Sequence, residues 1–302
     1  MIPPMLAKNA SHLPSGKNFT YEIKLDGQRT LAEVKGKNLT LYTRSLQNVT
    51  SKYPELADLK KNLKTTNAIL DGEIVALEDG IPSFQLLQQR MNLHDKKLIQ
   101  AASIEIPIIY YVFDILECRG KSLLKLPLHE RKKILKQTIV PSDNVKVLPC
   151  FESRDQILAK AQDFGYEGIV AKLRNSPYLP GARTDAWLKY KFQKEEVFLI
   201  CGWLDGGRVR NFGALLLGKY HGRREYRYVG RAGTGFTDRM IHYLMQQLVS
   251  LETQAAPFPN APRVKGAHWV RPSLKVRVKF REMTQAGVLR APVFMGIEKN
   301  TR

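Results

Sequence analysis

Short apolar runs alternate with turn signals along most of the chain, and their period is more often that of strands than of helices. Residues 19–24 and 28–35 are β-rich runs parted by Asp26-Gly27, a tight-turn dipeptide. Gly36-Lys37-Asn38 turns the chain again into 39–44. The stretches 68–77, 108–116, 168–173 and 187–192 are rich in β-branched and aromatic residues, and each is predicted to be a strand. Two helices are expected between them. Ser83 can cap one over 83–91, where Phe84, Leu87 and Met91 recur at helical spacing, and Pro127 precedes another over 128–136.

The texture changes after about Lys194, which sets the expected domains at 1–193 and 194–302. Strands over 197–203, 214–220 and 224–231 form a meander punctuated by Gly206-Gly207 and Gly222. Thr237 then caps a helix whose Ile241, Leu244, Met245, Leu248 and Leu251 make one apolar face. Pro257, Pro259 and Pro262 lead into 269–282, which alternates strictly from Leu274 to Phe280. Three strands, a helix and returning strands are compatible with a small OB-type barrel, and also with another small α+β domain.

Composition adds a partner to this outline. The 302 residues include 43% hydrophobic positions, enough for packed cores and against a disordered chain. The longest strongly apolar stretch, 106–113, is far short of the roughly 20 residues that span a bilayer. Residues 1–8 carry two prolines and no apolar core, so no signal peptide is expected. Lys and Arg number 48 against 28 Asp and Glu, a net charge of +20. A field of one sign on this scale answers a polyanion, and without a basic amphipathic helix nucleic acid is preferred to a membrane surface. Residues 194–302 hold 19 basic and 8 acidic side chains, so the second half is the more basic for its length. Cys118, Cys150 and Cys201 are scattered with no CxxC pair, which argues against disulfides and structural zinc and for a reducing cytoplasm.

The chemistry concentrates at Glu22-Ile23-Lys24-Leu25-Asp26-Gly27-Gln28-Arg29. A lysine at a strand end beside a turn is placed to project into a cleft as a nucleophile, provided that its amine can lose a proton. Asp71-Gly72-Glu73 and Glu167-Gly168 put acids at strand ends, where they could hold a hard cation. Lys189 and Lys191, two apart on one strand, point the same way and could grip one phosphate. Together these parts suit phosphoryl or nucleotidyl transfer.

In their order and spacing, the motifs resemble those of the covalent nucleotidyltransferases, and among them the ATP-dependent DNA ligases. The likeness is greatest to the ligase component of bacterial end-joining systems and runs from Pro4-Met5-Leu6-Ala7 to Gly296. It implies an α+β architecture: a nucleotidyltransferase domain of antiparallel sheets with flanking helices, followed by an OB-fold β-barrel. Lys24 is then the nucleophile that becomes AMP-lysine, with Arg29 beside it. Tyr42-Thr43-Arg44 resembles the motif whose Arg contacts the 5′-phosphate of a nick, a role that Arg29 shares. Glu73 is expected at the ribose and near the metal, and Phe113 in Tyr110-Tyr111-Val112-Phe113-Asp114 on the adenine. Glu22 would read the base by hydrogen bonding, while Ile23 and Val170 belong to nucleotide-binding segments. Glu167 is the metal-associated acid, for Mg²⁺ or Mn²⁺, and Lys189 and Lys191 contact the α-phosphate. The segments 228–236 and 278–282 resemble the end-joining ligases' OB domain, where Arg208, Arg210, Arg223, Arg224, Arg227 and Arg231 are the candidate DNA-gripping residues.

Two motifs depart from the pattern. Ser45-Leu46 replaces the usual Gly after Arg44, and Glu298-Lys299-Asn300-Thr301 replaces a basic tail after Arg290-Ala291-Pro292-Val293-Phe294. Arg290, Lys299 and Arg302 are the candidates for the tail's work on pyrophosphate. NAD-dependent relatives carry a further N-terminal domain; only 23 residues precede Lys24, so ATP is the expected cofactor. Expected partners are a nicked DNA duplex and a Ku-like or polymerase repair protein, with no membrane, for a monomer in the cytoplasm or on the nucleoid. The rivals are a messenger-RNA-capping or RNA-joining transferase and a non-catalytic nucleic-acid-binding relative.

Overall fold

The computed structural model describes residues 1–163, 166–206, 212–221, 225–284 and 286–298. Arg208, Arg210, Arg223 and Arg224, with Lys299 and Arg302, lie outside the described residues. The chain forms two compact units, Met1–Phe192 and Gln193–Arg302. Among the described residues no helix is long and apolar enough to cross a membrane.

The first unit is built on two sheets. One runs in the order Leu6–Asn9, Arg183–Lys191, Gly168–Leu173, Phe19–Lys24 and Cys150–Phe151, antiparallel except for its first pair. The other has Asn38–Thr43, Gln28–Lys35, Asn67–Glu78 and Ile108–Cys118 as its main strands, with three short strands at its margins. The Lys24-Leu25-Asp26-Gly27 turn is where the chain leaves the first sheet and enters the second. Gly27 is required there, because a Cβ would sit 2.2 Å from the carbonyl oxygen of Ile74. The sequence motif thus marks a close crossing between two sheets.

Helices cover the apolar faces. Ser83 caps Phe84–Met91, its side chain accepting from the Leu86 amide, and Leu87 is fully buried. Leu128–Thr138 buries Leu128 and Leu135, and Arg131 reaches inward to the wholly buried Asp114 through two bonds of 2.9 and 2.8 Å. That fork satisfies a charge which would otherwise be costly to bury. Lys96–Glu105, capped by Asp95, and Arg154–Asp163 are helices that periodicity alone does not single out.

In the second unit, Lys194–Leu204 pairs along one edge with Ala214–His221 and along the other with Ala267–Val270 and Lys275–Phe280. Glu225–Ala232 continues the meander, and Val293–Glu298 returns against Lys275–Phe280. Alternation behaves as expected: Val276, Val278 and Phe280 are buried, while Lys275 and Arg277 are exposed. Thr237 caps Asp238–Val249, whose Leu244 and Leu248 close the barrel core against Phe198, Ile200 and Leu217. This is the OB-type arrangement, a curled sheet with a helix between its third and later strands.

Candidate active site

Register places the chemistry on one face of the first sheet. Gly168 lies opposite Lys24 on one neighbouring strand and opposite Lys191 on the other. Val170 lies between Glu22 and Lys189, and Lys172 between Thr20 and Trp187. With a side-chain period of two, these rungs present Glu22, Lys24, Lys189 and Lys191 to the same side. A Cβ on Gly168 would approach the Tyr190 carbonyl oxygen to 2.1 Å, so only glycine lets the strands close here. Glu167, one residue earlier, therefore reaches both lysines: Lys24 Nζ donates to Oε2, and Lys191 Nζ pairs with Oε1 at 2.6 Å.

The second sheet faces this array. Arg29 and Glu73 sit in register on adjacent strands. Asp71, two residues before Glu73, takes Arg29 in a fork of 2.5 and 2.6 Å and also accepts from the Tyr178 hydroxyl at 2.6 Å. Asp71 is fully buried. Phe113 owes its position to a bulge: Asp71 pairs with Asp114 and Gly72 with Val112, leaving Phe113 as the extra residue, turned to the cleft. Its ring meets Trp187 edge-on, and Arg29 and Lys172 lie 4.5 and 4.2 Å from its centroid.

A single cleft is lined by Glu22, Ile23, Lys24, Arg29, Arg44, Glu73, Phe113, Val170 and Lys189. Nine of the residues expected from sequence are thus assembled in one place; Glu167 joins them through Lys24, and Lys191 through Glu167. Arg227 and Arg231 are exposed on Glu225–Ala232 in the second unit, and Arg290 there pairs with Glu282 at 2.7 Å. Other residues enter the site without a clear sequence signal. Arg183 and Trp187 line the cleft, Asp71 and Tyr178 lock Arg29, and Lys132 reaches Glu22 from the helix Leu128–Thr138. Trp187 Nε1 is buried without a hydrogen-bond partner.

The charges are strongly coupled. Burial pushes Glu73 up to about 7, with Asp71 and Glu167 adding to the rise and Arg29 and Lys24 opposing it. Burial also acts against the charge of Glu167 and of Glu22. In Glu167 it is outweighed by Lys24 and Lys191, and in Glu22 by Lys132 and Lys172, so both stay below the usual carboxylate value. Lys172 is pushed down to about 8 by burial, and Lys189 downward by burial and by Lys191, Arg183, Lys24 and Arg44. The cleft wall is consequently a cationic surface short of counter-charge, suited to a polyphosphate. Among the described residues no group of three or more His, Cys, Asp or Glu could hold a metal alone.

The family model described as "ATP dependent DNA ligase domain" matches residues 4–191, and "ATP dependent DNA ligase C terminal region" matches 208–300. A multifunctional non-homologous end joining protein LigD of Mycolicibacterium smegmatis is 35% identical over 97% of this chain and 38% of its own length. The chain thus spans well under half of that relative. The crystal structure of the ligase domain of M. tuberculosis LigD is 30% identical and superposes with a TM-score of 0.58 over 98% of this chain and 95% of that one. A mycobacterial DNA ligase D complexed with ATP is also 30% identical, with a TM-score of 0.55 over 100% and 96% of the two chains. The two sheets around Lys24, the OB-type second unit and these matches together show that the chain belongs to the ATP-dependent DNA ligases.

Proposed function

We propose that this chain seals nicks in duplex DNA at the expense of ATP, through AMP-lysine at Lys24 and then a DNA-adenylate, in end joining or another repair process. The observation that carries this reading is the rung Lys24, Gly168, Lys191, which places a lysine against the Glu167 carboxylate inside a cationic cleft. Lys24 Nζ attacks the α-phosphorus; the N–P bond forms, the bond to the β-phosphate oxygen breaks, and pyrophosphate leaves. Glu167, already hydrogen-bonded to that amine, is the acceptor at hand for its proton. An oxygen of the nick's 5′-phosphate next attacks the adenylate, and the N–P bond breaks as the amine regains a proton. The 3′-hydroxyl then displaces AMP. Lys189, Lys191 and Arg183 suit the ATP phosphates, and Arg44 the 5′-phosphate. Arg29, held by Asp71, acts as a fixed charge against Phe113.

Glu22 and Phe113 are assigned to the base. Glu73 lines the cleft and Glu167 pairs with Lys24 beside it, and the charge of Glu167 adds to the rise of Glu73, so the two would suit a hard divalent cation such as Mg²⁺. Such a cation would supply charge neutralisation at the phosphates. Arg227 and Arg231 are assigned to the DNA backbone. A Ku-like or polymerase partner, a monomeric state and a reducing cytoplasm complete the reading; three free cysteines support the last. The test is sealing of a nicked duplex with ATP, NAD or GTP, paired with labelling by α-labelled ATP. Wild-type protein is expected to seal with ATP, and Lys24→Ala to take no label. Label on Lys24→Ala would overturn the assignment.

A further inference from the structure

Glu22 is 1% exposed, yet it belongs to the cleft and carries an ammonium on each oxygen. Lys172 takes Oε2 at 2.6 Å, and Lys132 takes Oε1 from a helix 110 residues away in sequence. Lys132 is itself buried, and its neighbour Arg131 is pinned by Asp114 and by the carbonyls of Leu126 and Ser176 at 2.6 and 3.0 Å. The helix register that delivers Lys132 is therefore fixed from the other side.

Stability is a poor reason for such a cluster. Two ammoniums and a carboxylate lose most of their hydration on burial, and apolar residues of similar volume often serve the fold as well. A chemical task accounts for it better. A carboxylate accepts hydrogen bonds and donates none, and each oxygen has more than one acceptor position. Held ionised between two ammoniums, Glu22 keeps acceptor capacity for an N–H donor and repels a carbonyl oxygen in the same place.

We propose that Lys132 is a positioning residue which, with Lys172, holds Glu22 as an acceptor for the exocyclic amine of a 6-aminopurine and so rejects a 6-oxopurine. This rests on the reading of the cleft as an adenylation site. The two lysines divide the work by origin: Lys172 comes from the sheet that carries Lys24, and Lys132 from the helix packed on the other sheet. Base selection thereby depends on correct docking of that helix.

The experiment measures covalent labelling of the full chain by α-labelled ATP, purine riboside triphosphate and inosine triphosphate. The three differ at purine C6 by an amine, a hydrogen and a carbonyl. Wild-type protein is expected to label best with ATP and least with inosine triphosphate. In Lys132→Met, the ATP concentration for half-maximal labelling should rise roughly 10-fold and the preference for ATP over inosine triphosphate should fall roughly 10-fold, the size of one charge-assisted hydrogen bond. Lys132→Arg, which restores a cation, should recover most of the preference. A folded Lys132→Met protein with wild-type preference would overturn the proposal. Should Lys132→Met fail to fold, the wild-type ranking and Lys132→Arg decide: equal labelling by ATP and inosine triphosphate in wild type refutes the proposal while leaving adenylation standing. Wild-type protein that labels with none of the three refutes the adenylation reading and this proposal with it.

Discussion

At the scale of single residues, the site is a set of charges whose partners decide what they can do. Lys24 and Glu167 are legible in the sequence because each stands in a short motif at a strand end. Asp71-Gly72-Glu73, expected at a strand end too, lies instead within Asn67–Glu78, where the ladder to Gln28–Lys35 holds Glu73 opposite Arg29. Asp71 carries the same motif as Glu73 and has a different task, since only the structure shows it wholly buried and forked onto Arg29. Asp71→Asn keeps the shape and removes the charge, leaving Arg29 with one fewer ionic bond and Tyr178 with an altered acceptor. We expect a loss of about 2–3 kcal/mol in denaturant unfolding. Sealing should fall further than this loss of stability explains, because Arg29 would leave its place against Phe113. Unchanged unfolding and unchanged sealing would remove Asp71 from the site.

Among elements, the second unit carries a clasp that no motif announces. His268 on Ala267–Val270 stacks on Trp203 and meets Glu252 through Nδ1 at 2.9 Å and Asp205 through Nε2 at 3.0 Å. It thereby ties the short strand Glu252–Thr253 to the end of Lys194–Leu204. Both ring nitrogens face carboxylates, so both are best used as donors, which requires the imidazolium. The bond to Glu252 raises its pKa above the ordinary 6.5; burial opposes this, and the charge of Asp205 and the bond to it add to the rise. A raised value in the folded state means that the clasp stabilises fully below about 6.5 and loses its contribution as pH rises through the folded value. Since the three side chains are all at least a third exposed, solvent screening limits the effect to about 0.5–1 kcal/mol. His268→Asn should therefore melt below wild type at pH 6, with the gap closing as pH is raised beyond 8. A gap that widens with pH would show that the clasp works in another way. Elements also explain what periodicity missed. Lys96–Glu105 leaves Leu98 and Ile104 exposed and buries Ile99, so its apolar residues do not trace one face.

Over the whole molecule, the net charge of +20 separates into a cleft of named cations and a broader basic surface. The two should respond differently to salt. Contacts to a DNA backbone release counterions, so nick sealing at limiting DNA should fall steeply with added KCl. Labelling of Lys24 by ATP, which needs no DNA, should change several-fold less over the same range. Parallel loss of both would mean that the basic surface contributes little to nick binding. Most strands and turns follow from patterning, because alternation and turn dipeptides are local properties of the chain, whereas the OB-type barrel and the sheets of the first unit are implied only by the resemblance in motif order. By itself the sequence determined which residues could do the chemistry, Lys24, Glu167, Lys189 and Lys191 above all, since their spacing on strands sets which side they share. Only the tertiary structure decided which partner each one has. The rung through Gly168, the bulge that turns Phe113, and the approach of Lys132 to Glu22 depend on contacts between segments far apart in the chain. Such contacts are fixed by the packing of two sheets and a helix, and no local pattern encodes them.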